Sequence, residues 1–62
     1  MEIKDVKMDK KVTFVRRNGS TAHGVVYSKP VQMKNGVWVL VNTGSKLSPV
    51  VTNVRITNLQ PA

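Results

Sequence analysis

Lys11-Val12-Thr13-Phe14-Val15-Arg16-Arg17-Asn18-Gly19-Ser20-Thr21-Ala22-His23-Gly24-Val25-Val26 is the stretch that decides the fold. Over residues 11–16 apolar and polar residues alternate. Val12 and Phe14 fall on one face of a strand, with Lys11, Thr13 and Val15 on the other. Arg17-Asn18-Gly19-Ser20 reads as a turn, because Asn and Gly tolerate positive φ. A second strand follows from Thr21 to Ser28. Ala22, Gly24 and Val26 share one of its faces; His23, Val25 and Tyr27 share the other. A glycine inside a strand marks a bend or a close backbone approach, and Gly24 holds that position. A small curled sheet needs such a bend.

The rest of the chain continues in the same idiom. Val, Ile and Thr dominate short apolar runs broken by Gly, Pro, Asn and Ser. Pro30 interrupts the pattern, Val31–Lys34 resumes pairing, and Asn35-Gly36 is a hairpin signal. Val37-Trp38-Val39-Leu40-Val41 forms a third strand that is apolar on both faces. Asn42–Pro49 reads as a loop. Val50–Thr52 reads as a short strand, Thr52-Asn53-Val54 as a tight turn, and Arg55–Leu59 as the closing strand. Gln60-Pro61-Ala62 is left as a tail. The expected organisation is a single all-β domain over residues 10–60, preceded by an N-terminal arm or short turn over residues 1–9. In that arm Ile3 and Val6 have the spacing of one helical turn. Five short strands joined by hairpins in so few residues describe a small barrel.

Two stretches of this pattern resemble a known family. Lys11-Val12-Thr13-Phe14-Val15, then Asn18-Gly19, then Gly24-Val25-Val26 looks like the KOW motif of small SH3-like barrels. Val54, Ile56 and Leu59 followed by Pro61 are similar to the last turn and strand of such barrels. The resemblance implies a five-stranded SH3-like barrel of KOW/Tudor-like topology. It also implies binding of RNA, DNA or ribosomal and transcription components. A plasmid-borne type of dihydrofolate reductase is also a tiny barrel. Its Val-Gln-Ile-Tyr motif lies late in the chain, whereas here only Val31-Gln32-Met33 approaches it, and at a different place.

Charge is the strongest functional signal. The acids Glu2, Asp5 and Asp9 all lie in the first nine positions, and the whole chain carries a net charge of +7. Residues 10–62 hold Lys10, Lys11, Arg16, Arg17, Lys29, Lys34, Lys46 and Arg55 with no acid to offset them, which is +8. Such self-repulsion weakens a compact state, and a polyanionic partner relieves it. Nucleic acid is the expected partner, bound through phosphates with low sequence specificity and with counterion release. Duplex DNA is slightly favoured over RNA, because exposed aromatics are few and single-strand readers need stacking platforms. Gln32, Asn18 and Asn53 are the side chains suited to reading base edges.

Each basic residue has two readings. Arg16 and Arg17, at the end of the first strand, are phosphate ligands or a solvated pair protecting an edge. Lys10 and Lys11 extend that patch or are neutralised by Asp5 and Asp9. Lys29, Lys34 and Lys46 contribute if they share a face. Arg55 points to solvent or to a ligand. Trp38 and Tyr27 are aromatics with a polar handle. Trp38, with Leu40, is a core residue, an interface with a partner or a second copy, or a base-stacking platform. The alternative function is therefore a phage- or mobile-element-type adaptor or inhibitor that docks on an acidic surface of a larger protein, with Trp38 and Leu40 as anchors. A homodimer through the same pair is compatible with either function.

Enzymatic activity is not expected. His23 stands without a nucleophile or carboxylate beside it by motif, the acids form no pair, and Gly19 and Gly24 do not open a phosphate-cradling helix. No cysteine is present and no metal-ligand cluster or cofactor motif is visible. No apolar run approaches the ~20 residues that span a bilayer. Residues 1–5 lack the apolar segment of a signal peptide, so residence in the cytoplasm is the expectation.

Overall fold

A computed structural model describes residues 2–62. The strands are β1 (Lys11–Val15), β2 (Thr21–Val26), β3 (Val31–Met33), β4 (Gly36–Asn42), β5 (Val51–Arg55) and β6 (Leu59–Pro61). All pairings are antiparallel, in the order β3-β4-β2-β1-β6, and β5 pairs with β4. The result is a single all-β domain, a six-stranded sheet curled into a half-barrel. No helix among the described residues is long and apolar enough to cross a membrane.

The alternation read from the sequence places the core. Val12 and Phe14 of β1, Ala22 and Val26 of β2 and Val39 and Val41 of β4 are buried, with Val54, Ile56 and Leu59. Val6 joins them from the N-terminal arm, behind a 3-10 turn at Ile3–Asp5. The arm is tied down by Asp9 N donating to Val26 O at 2.9 Å and Val26 N donating to Lys10 O at 2.9 Å.

Gly24 does what its place in β2 suggested. A Cβ there would lie 2.6 Å from Asn42 O and 2.7 Å from Val41 Cγ1. β2 can therefore bend onto β4 only because residue 24 has no side chain. After that bend Tyr27 N donates to Leu40 O at 2.8 Å, and the Ser28 hydroxyl accepts from Leu40 N at 3.1 Å. The chain then crosses Pro30 and pairs with β4 again as β3.

Three expectations need correction. The sheet has six strands, not five, because Val31–Met33 is a strand in its own right. No turn occurs at Thr52-Asn53-Val54: β5 runs unbroken through them, and Arg55–Leu59 is not a strand. The chain turns instead through a 3-10 segment at Ile56–Asn58, and the supposed tail forms most of β6. The reason is parity. Ile56 and Leu59 are both buried, but residues three apart point to opposite faces of a strand. A 3-10 turn has three residues per turn and brings i and i+3 to one side. Finally, the centre of the β3–β4 turn is Lys34-Asn35, not Asn35-Gly36, since Met33 pairs with Gly36. Gly36 closes that turn at φ +129°.

Candidate functional site

The sheet does not close between β5 and the β1–β2 hairpin. An open groove of about 510 Å³ lies there, lined by Arg16, Arg17, Trp38, Asn53, Arg55 and Asn58 among others. Local sequence chemistry sets each wall. Gly19, at φ +91°, closes the hairpin: Gly19 N donates to Arg16 O at 2.9 Å and Arg16 N donates to Ser20 O at 2.7 Å. Asn18 Oδ1 accepts from Ser20 N at 3.0 Å and from Ser20 Oγ at 2.7 Å, which fixes the tip. This tight turn presents Arg16 and Arg17 side by side, both exposed.

The other wall is built across the β4–β5 ladder, where Trp38 and Arg55 are directly paired on the outer face. The Arg55 guanidinium carbon lies 5.1 Å from the centre of the Trp38 ring, within cation–π range. The ring is oriented by Trp38 Nε1 donating to Asn35 Oδ1 at 2.9 Å. The Arg55 stem runs over Gly36, where a Cβ would meet its Nε at 3.5 Å and its Cδ at 3.6 Å. Arg55 Nε is buried and has no hydrogen-bond partner.

The groove has no acidic lining residue. The ion pair found among the described residues is Lys4 with Glu2 at 3.4 Å, within the N-terminal arm and highly exposed. Among the described residues, no acid contacts Arg16, Arg17 or Arg55.

The other residues singled out by sequence lie elsewhere. Lys11 lines a shallower depression with His23, Thr43 and Gly44, on another part of the surface. Lys10 is half-buried ahead of β1, and Lys29 and Lys34 are exposed on either side of β3. Lys46 is exposed in the 43–50 loop. These lysines do not line the arginine groove. Tyr27 is exposed at the end of β2, and Leu40 stands on the outer face of β4. Trp38 is half-buried and outside the apolar core, so the core reading of this residue is set aside. Of the base-edge candidates, Asn53 lines the groove, Asn18 is spent on its turn and Gln32 Nε2 donates to Met33 O at 3.0 Å. Asn58 is a groove residue the sequence did not single out. Its signal was the parity break at Ile56 and Leu59, which places a turn, and so a polar side chain, beside β5.

Comparison with family models, curated proteins and solved structures finds no match to this chain.

Proposed function

We propose that this protein is a small SH3-like barrel with a KOW-like opening hairpin that binds nucleic acid mainly through the phosphate backbone. The strand order is compatible with that fold: β6, β1 and β2 run on into β4 at the bend around Gly24, and β4 also pairs with β3 and β5. One observation carries the functional reading: Arg16, Arg17 and Arg55 converge on an open groove that no acid lines. Charge-assisted bonds from guanidinium groups to phosphate oxygens are strong and can be bidentate. Contacts of this kind position a strand without reading sequence, so specificity is low. The protein binds as a partner and not as a catalyst.

An amide chemical-shift titration with a short oligonucleotide at low salt tests this reading. Shifts should cluster at residues 14–17, 52–55 and 58, leaving the tip of the 43–50 loop unmoved. Saturating oligonucleotide with no perturbation in the groove would refute it.

A second reading has one observation in its favour. Val31, Met33 and Leu40 are exposed beside Trp38 on the outer face of β3 and β4. Such a patch suits a protein partner with an acidic rim. In that case Leu40→Asp should abolish partner binding and leave oligonucleotide binding intact.

A further inference from the structure

We infer that the groove takes a single strand with an unpaired base lying on the Arg55 guanidinium, which Trp38 backs from beneath. The inference rests on the nucleic-acid reading above and names the form of nucleic acid. Two features of the wall carry it.

First, Arg55 is not a free surface cation. Its stem is seated over Gly36 and its guanidinium carbon lies over the Trp38 ring, 5.1 Å from the ring centre. Arg55 is half-buried beside that ring and not extended into solvent. A planar guanidinium fixed this way is a stacking surface, and guanidinium planes stack with unpaired bases as aromatic rings do. The scarcity of exposed aromatics, which favoured duplex in the sequence, therefore loses its force. One guanidinium supplies the plane and one ring holds it in place by a cation–π contact.

Second, the platform forms one wall of a groove with Arg16 and Arg17 on the other, and Asn53 and Asn58 also line it. A single strand needs a plane for its base and cations for its flanking phosphates. In a duplex both faces of every internal base are already stacked, so the plane has nothing to receive. A duplex would use the exposed Arg16 and Arg17 and leave Arg55 idle.

Trp38 is the sole tryptophan, so its emission reports on this wall alone. The test compares single-stranded DNA, single-stranded RNA and duplex DNA of equal length, by anisotropy and by Trp38 emission at fixed salt. Both single strands should bind about tenfold tighter than duplex and quench Trp38 on binding. Arg55→Lys keeps the charge and removes the plane, so it should erase the preference while its urea midpoint confirms folding. If that variant does not fold, the wild-type Trp38 quench decides. Duplex bound as tightly as single strands, or Trp38 emission unmoved at saturation, would overturn the inference and leave phosphate binding standing. No binding to any of the three would overturn both.

Discussion

Asn42 is the buried polar residue of the core, and its carboxamide organises the longest loop. Its Oδ1 accepts from Gly44 N at 2.9 Å and from Val50 N at 3.0 Å, while Nδ2 donates to Ser45 O at 3.4 Å. Two backbone donors on opposite ends of the 43–50 loop thus share one acceptor. Gly44 sits so close to Ser48 O that no Cβ fits without displacing it. Asn42→Ala removes the acceptor from both donors, and each such part-buried hydrogen bond contributes about 0.5–1.5 kcal/mol. Urea unfolding should show a loss of about 1–3 kcal/mol for this variant, with amide exchange at Gly44 and Val50 accelerated. A midpoint matching wild type would mean the loop holds itself. This role was not legible in the sequence. An asparagine after an apolar strand reads as a loop signal, and only the curl of the sheet reveals that its side chain turns inward.

At the scale of elements, β2 and β4 depend on each other through Gly24. Replacing it with alanine drives a methyl into Asn42 O and Val41 Cγ1. Overpacking of this kind typically costs ~1–3 kcal/mol. Gly24→Ala should therefore lower the urea midpoint, whereas Ser20→Ala, at an exposed turn, should lower it less. The bend was legible because a glycine inside an alternating strand has few other uses. The alternation of β1 was legible for the same reason: period two leaves little freedom once one face is apolar. In β4, apolar on both faces, Val39 and Val41 are buried and Val37 packs against them. The closing region misled because residues 50–59 were split at Asn53, a residue that favours turns. The sheet overrides that preference, since pairing with β4 from Trp38 to Asn42 holds residues 51–55 extended. The 3-10 turn was available in the spacing of Ile56 and Leu59, which no strand can satisfy. The candidate site was half legible. Arg16 and Arg17 follow from their turn, but the stacking of Arg55 on Trp38 joins residues 17 positions apart in sequence through ladder register alone.

For the whole molecule, charge and geometry divide the chain in two. The acids sit in the arm and none lines the groove; Glu2 is engaged with Lys4. At ~0.15 M salt the Debye length is about 8 Å, so exposed charges beyond that distance are largely screened. Neutralising the arm with Glu2→Gln, Asp5→Asn and Asp9→Asn together should change oligonucleotide affinity by less than about twofold at that salt. A larger gain would show that the arm shields the groove. The excess of +7 on so small a body also sets a general attraction to polyanions, which steers encounter before the groove engages.

The most direct test of the central claim is a salt series of oligonucleotide affinity, measured by anisotropy for wild type and for Arg16→Gln with Arg17→Gln. Log K should fall linearly with log salt, with a slope of about −1.5 from Arg16 and Arg17 on a single strand and steeper if Arg55 or surface lysines also meet phosphates. The double substitution should weaken binding uniformly across sequences and flatten the slope by about 1.5. An unchanged affinity and slope in the double variant, or no binding by wild type at low salt, would contradict the account.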